Sequence, residues 1–147
     1  MTTVTPLIKS VTVPADPGRA FALFTAHMAA WWPLATHSVG EEAATGVTLD
    51  GRVGGRIVET VADGRSNTWG TVTDWDPPHR VAFTWHPGHG EEHATHVEVR
   101  FFADGRKTRV ELVHTGWERH PRAGEARTGY DTGWDLVLCE YVRHAQK

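Results

Sequence analysis

Cysteine is almost absent from this chain of 147 residues. Cys139 stands alone, so no internal disulfide can form, and a reducing compartment, the cytoplasm, is the expected location. No apolar run approaches the length of a membrane span, which argues against membrane insertion. The opening Met1-Thr2-Thr3-Val4-Thr5-Pro6 lacks the character of a secretory signal. Positive charge is not in excess either: 15 Lys and Arg face 18 Asp and Glu, a formal net charge of −3, so nucleic acid is not an expected partner. The chain carries no phosphate loop, no dinucleotide fingerprint, no Gly-x-Ser-x-Gly elbow and no cysteine–histidine nucleophile pairing. Gly51-Arg52-Val53-Gly54-Gly55 is glycine-rich but opens no helix, so the geometry of an anion cradle is missing. No repeat, low-complexity tract or linker divides the sequence, and a single domain over 1–147 is expected.

What is abundant is tryptophan. Seven indoles in a chain of 39% hydrophobic and 22% charged residues supply large aromatic bodies, each with one N–H to satisfy. Such residues pack cores and line pockets equally well.

Periodicity predicts an α+β domain. Leu7 to Val13 alternate as a first strand closed by Pro14. Asp16 then caps a short helix with Pro17 in its first turn and Phe21 and Phe24 on its apolar face. Trp31-Trp32-Pro33 ends the helical region. Strands follow at Gly46 to Leu49, Gly55 to Val61, Trp69 to Trp75, Arg80 to His86, His96 to Phe102 and Arg109 to Thr115. Asp63-Gly64, Asp76-Pro77-Pro78 and Asp104-Gly105 mark turns, giving an antiparallel meander. The last segment changes period: Ala126, Tyr130, Trp134, Leu138, Tyr141 and Ala145 form an apolar helical stripe opposite Asp131, Asp135 and Arg143. A run of strands closed by one amphipathic helix places that helix across the sheet.

These residues also carry a resemblance. Trp69-Gly70, Asp76-Pro77-Pro78 and Thr84-Trp85 occur in order with Trp31-Trp32-Pro33, His37-Ser38, Gly54-Gly55, His114, Gly116-Trp117 and Gly133-Trp134. Together they resemble the heat-shock-protein-90 ATPase activator homologue family of the START-like, or SRPBCC, helix-grip superfamily. The resemblance implies a curved antiparallel sheet wrapped around a long C-terminal helix, with two short helices near the N-terminus and a ligand cavity between sheet and helix. It also implies three kinds of function: binding of a small hydrophobic or aromatic molecule, cyclase or dehydratase chemistry on a substrate held in the cavity, or contact with a chaperone ATPase in a stress response. Exposed sheet edges admit a homodimer. No cofactor is implied.

The expected ligand-binding set is Trp31, Trp32, Trp69, Phe83, Trp85, Val97, Val99, Leu112, His114, Trp117, Tyr130, Trp134 and Leu138. The same residues could instead fill a solid core, and sequence alone leaves that open. His114 is the catalytic candidate, a general acid/base at the end of an apolar strand face; the alternative is a buried histidine held by a hydrogen bond. His86, His89, His93 and His96 with Glu91 and Glu92 offer zinc-ligand types, but their spacing and the mobile Gly- and Pro-containing loop favour a solvated loop and no metal. Glu59 shares a face with Ile57 and Val61, and a partner such as Arg52 or Arg56 is expected for it, while Glu98 is expected to face solvent. Gly129 and Gly133 would leave a bare strip on the last helix at roughly 1 kcal/mol each, unless that helix starts only near Tyr130. Cys139 is expected to be a buried structural thiol.

Overall fold

The computed structural model describes residues 5–147, so the reading of Met1 to Val4 lies outside the described residues. Seven strands form one antiparallel sheet: β1 (Leu7–Val13), β2 (Ala44–Leu49), β3 (Arg56–Val61), β4 (Ser66–Asp76), β5 (Arg80–Trp85), β6 (Thr95–Asp104) and β7 (Lys107–Thr115), in the order β1-β7-β6-β5-β4-β3-β2. Helix α1 (Pro17–Phe24) and a 3-10 turn at Met28–Ala30 are the short helices near the N-terminus, and α2 (Ala123–Ala145) is the long closing helix. This is the helix-grip arrangement that the resemblance implied. No helix among the described residues is long and apolar enough to cross a membrane.

The local chemistry explains each element. Asp16 accepts from the Arg19 N–H at 2.8 Å and Pro17 occupies the first turn of α1. In β5 to β7 alternate residues point inward: Val81, Phe83 and Trp85, then Val97, Val99 and Phe101, then Val110, Leu112 and His114 are all buried. Strands run longer than alternation alone predicts. Ser66 to Thr68, Ala103-Asp104 and Lys107-Thr108 extend their ladders through polar residues beside tight hairpins. The sheet curls at bulges, where register shifts between Ile57 and Val58 against β4 and between Val72 and Asp74 against β5. Gly70 sits in this region because the β5 backbone comes too close for a side chain: a Cβ there would lie 1.8 Å from the Thr84 carbonyl oxygen.

The polar side of α2 is exposed but tied to the sheet. Lys9 on β1 bridges Asp131 and, at 2.9 Å, Asp135, fastening the helix to the sheet edge. The α2 helix also begins well before Tyr130, so Gly129 and Gly133 are both genuinely helical. Cys139 is exposed, not buried as expected. It follows Leu138 by one residue, which rotates it about 100° off the buried stripe.

Aromatic side chains fill the space between sheet and helix in two groups. One joins Phe21, Phe24, Phe101, Trp31 and Tyr141, with Trp31 and Tyr141 ring centroids 4.9 Å apart. The other joins Trp32, Trp69, Trp85 and Trp134 at centroid distances of 5.2 to 5.9 Å. The adjacent Trp31 and Trp32 belong to different groups, and so connect the interior near α1 with the interior near the pocket.

Candidate functional site

A pocket of about 300 Å³ opens beside the second aromatic group, lined by Trp32, Trp85, Trp134 and Val137 below, Thr36 to Val39 on one wall, and Pro87, Gly88 and Tyr130 around it. Among the expected ligand-binding residues, Trp32, Trp85, Tyr130 and Trp134 line it. Trp69 and Phe83 pack behind Trp85, with ring centroids 5.6 Å from it. Trp31 lies in the other aromatic group, and Val97, Val99, Leu112, His114, Trp117 and Leu138 are buried between sheet and helix. Those of the expected residues that border this pocket are therefore a minority of the set. Thr36, His37, Ser38, Val39, Pro87, Gly88 and Val137 complete the lining without having been expected there. Only Val137 carried a usable signal, since it lies one turn from Trp134 on the buried face.

His114 sits one layer behind the pocket and is fully buried. The Trp134 Nε1–H donates to His114 Nδ1 at 3.0 Å, because an indole can only donate. This fixes the proton on Nε2, which donates to Thr95 Oγ1 at 2.6 Å, and Thr95 in turn donates to the Trp85 carbonyl at 3.1 Å. The relay ties α2 to β7, β6 and β5, holding the Trp134 indole and the Trp85 backbone. Burial, with smaller contributions from the charges of His96 and His120, pushes the His114 pKa down to about 3. Neutral and engaged at both nitrogens, His114 positions the pocket; it has no free nitrogen with which to exchange a proton with a ligand.

Tyr130 is one polar group that lines the pocket, with Thr36, His37 and Ser38. Its hydroxyl accepts from Trp85 Nε1 at 3.2 Å, and its own proton has no acceptor among the described residues. Burial raises its pKa, outweighing the opposing bond from Trp85, so the hydroxyl remains a donor at neutral pH.

The wall formed by residues 36–39 is held from below by Glu59. This carboxylate is fully buried, and its partners are not arginines. Oε1 accepts from the Val39 N–H and Trp69 Nε1, both at 2.8 Å, while Oε2 accepts from the Gly40 N–H at 2.7 Å. Arg52 instead meets Asp50 at 2.9 Å. Glu98 is only partly exposed and lies between Arg80, at 3.2 Å, and Arg100.

The histidine-rich connection between β5 and β6 is exposed from Gly88 to Glu92, as expected of a solvated loop, and is anchored at its ends. His86 is buried, with Nδ1 3.0 Å from the His89 carbonyl, and Glu91–His93 form a 3-10 turn. His89 faces His93 and His120, with centroids 6.2 and 4.8 Å away, while His96 turns to Thr73 Oγ1 at 3.2 Å. Among the described residues no group of three or more His, Cys, Asp or Glu is arranged to hold a metal ion.

A second depression of about 450 Å³ follows α2 outward from the pocket, over Ala126, Gly129 and Gly133 to His120, Arg122 and Glu125. A Cβ on Gly129 would meet nothing within 4 Å, and one on Gly133 would meet only His37 Cδ2 at 3.9 Å. No packing requirement excludes alanine at Gly129. Gly129→Ala is expected to stabilise the fold by about 1 kcal/mol, read as a rise in the midpoint of thermal unfolding. An unchanged or lower midpoint would mean that this turn of α2 is constrained by something other than helix propensity.

Comparison with known proteins adds to this geometry. The family described as Activator of Hsp90 ATPase homolog 1-like protein matches residues 14–141. Among solved structures, an anthrahydroquino-gamma-pyrone synthase, Txn09, is 30% identical, with 96% of this chain and 97% of that one covered at a TM-score of 0.67. The self-sacrificing resistance protein CalC from Micromonospora echinospora is 29% identical, with 95% and 93% covered at a TM-score of 0.70. The Aha1 dimer from Colwellia psychrerythraea shares the fold at 18% identity, with 95% and 94% covered at a TM-score of 0.67. No curated protein matches this chain.

Proposed function

We propose that this chain, which belongs to the Activator of Hsp90 ATPase homolog 1-like family, binds a small aromatic or hydrophobic molecule in the pocket beside Trp32, Trp85 and Trp134. The carrying observation is a recess of about 300 Å³ walled by three indoles and lined by Tyr130, whose hydroxyl proton has no acceptor among the described residues. Such a site has the usual make-up of a small-molecule pocket, in which aromatic area supplies affinity and a few polar groups set orientation. The buried residues behind it, His114 above all, keep the indoles in place. The reading calls for no cofactor and no metal.

Native mass spectrometry of freshly purified protein tests this directly. An organic mass carried by the native chain and lost on denaturation supports the reading. A clean apo mass, together with no uptake of added aromatic compounds, would sink it. Tyr130→Phe keeps the ring and removes only the hydroxyl. It is expected to leave stability within about 1 kcal/mol while weakening a ligand that offers an acceptor by about five- to tenfold. Equal affinities for wild type and variant would remove Tyr130 from the site.

A second reading is favoured by the 30% identity to a synthase over almost both full lengths. In it the pocket holds a flexible substrate in a folded pose, and orientation lowers the barrier to ring closure. Tyr130 would be the proton donor available to such a substrate, since His114 is engaged elsewhere. Turnover lost in Tyr130→Phe with binding retained would favour the enzyme over the carrier. The chaperone-contact reading has support from the Aha1 dimer only as far as fold, and the same holds for a homodimer through a free sheet edge.

A further inference from the structure

We propose that the site extends beyond the pocket into the depression along α2, and that its ligand is an amphiphile whose aromatic body lies among the indoles and whose anionic end reaches Arg122 and His120. This rests on the ligand-binding reading above and names the class of molecule bound. The two cavities are neighbours: His37 and Tyr130 line both, and no other residue does. His37 flanks Gly133, its Cδ2 3.9 Å from where a Cβ on Gly133 would stand, so a large side chain at 133 would crowd the junction of the two cavities. Beyond it, Gly129 leaves the helix surface bare, with open space where a Cβ would stand. The two glycines thus make a shallow track from the indoles outward. An α-helix gains nothing from glycine, and neither residue is needed for close packing, so a track for a ligand chain is the role left to them.

The track changes chemistry along its length. The inner cavity includes three indoles and two valines in its wall, while the outer one carries His120 and Arg122 against the single carboxylate of Glu125. Arg122 meets Glu125 only loosely, at 3.4 Å, and its side chain stays largely exposed, so its guanidinium is free to turn to a ligand. The Arg122 N–H donates to His120 Nδ1 at 3.0 Å, which leaves Nε2 as the donor on that ring. An end lined by donors and one permanent cation suits a carboxylate, a phenolate or an enolate, and guanidinium pairs well with planar oxyanions.

The test compares 1-pyrenebutyrate with 1-pyrenebutanol, which share rings and chain and differ in the charged end, by pyrene fluorescence titration at low salt. The wild-type protein is expected to bind the carboxylate about fivefold more tightly than the alcohol. Arg122→Ala should erase that preference and leave the alcohol unaffected. Arg143→Ala, which removes the same charge at the far end of α2, should keep it. Gly133→Leu should weaken the butyrate at least tenfold, with thermal unfolding confirming that the variant is folded. Equal binding of the two probes by the wild type, or a preference that survives Arg122→Ala, overturns the extension and leaves the pocket standing. Failure of both probes to bind any folded form would overturn the pocket reading and the extension with it.

Discussion

Glu59→Ala is expected to lower the unfolding free energy by roughly 3–5 kcal/mol. The carboxylate accepts from two backbone N–H groups and one indole N–H, and all three donors lose their partner at once. Hydrogen bonds to charged groups contribute about 1.5–3 kcal/mol each, but such contributions are not additive. Val39 is partly exposed, so water can serve its N–H after the change, whereas Trp69 is buried and its indole cannot be rescued that way. Urea unfolding of wild type and variant gives the number. A difference under about 1 kcal/mol would mean that the three contacts are individually dispensable.

Glu59→Gln separates stability from site geometry. The amide keeps the shape and one acceptor oxygen but sets an NH₂ against a donor, so at least one of the three contacts turns repulsive. The variant should fold, with the 36–39 wall loosened, and its affinity for a pocket ligand should fall about tenfold. Wild-type affinity in a folded Glu59→Gln protein would show that the wall does not depend on the carboxylate beneath it.

Glu59 also marks where sequence reading stops. Its burial was legible from the alternation with Ile57, but its partners were not. Two of them are backbone N–H groups in an irregular segment about twenty residues earlier, and a backbone donor has no residue letter. Regular elements were far more legible: Leu7–Val13, the hairpins at Gly64 and Gly105, and the stripe of α2 follow from period and turn chemistry alone. Cys139 could have been placed correctly by the same period, since it sits beside the buried stripe and not on it. The pocket was legible only as a set of aromatic residues facing one another. Which of them border open space depends on how residues 32–39 fold back over Trp85 and on where Pro87 and Gly88 close the far side. The role of His114 was equally hidden. It needs the Trp85↔Thr95 and Val97↔His114 registers together, plus an indole delivered by a helix.

That relay makes acid the other strong perturbation. The His114 pKa is about 3 in the folded protein and near 6.5 in the unfolded chain, because burial penalises the imidazolium. Between those values the unfolded chain binds a proton that the native protein refuses, so stability falls as pH falls. It is fully present above about pH 6.5 and is lost at up to ~1.4 kcal/mol per pH unit below it. Acidification from pH 6.5 to 4.5 is expected to remove about 2–3 kcal/mol through this residue alone. His120, whose pKa is lowered by burial and then by His89 and His93, adds in the same direction from a more exposed position. The Asp131 carboxylate, held below its ordinary range by Lys9, matters only at lower pH still. His114→Asn should therefore be less stable than wild type at pH 7, having lost the relay, yet its stability should fall more gently on acidification, so that the two curves converge towards pH 4.5. His120→Asn, measured alongside, isolates the second histidine. Parallel curves for wild type and His114→Asn would mean that His114 is not the group refusing the proton. If they do converge, the molecules that stay folded should keep their ligand down to pH 4.5, because native His114 remains neutral there and goes on accepting from Trp134 Nε1.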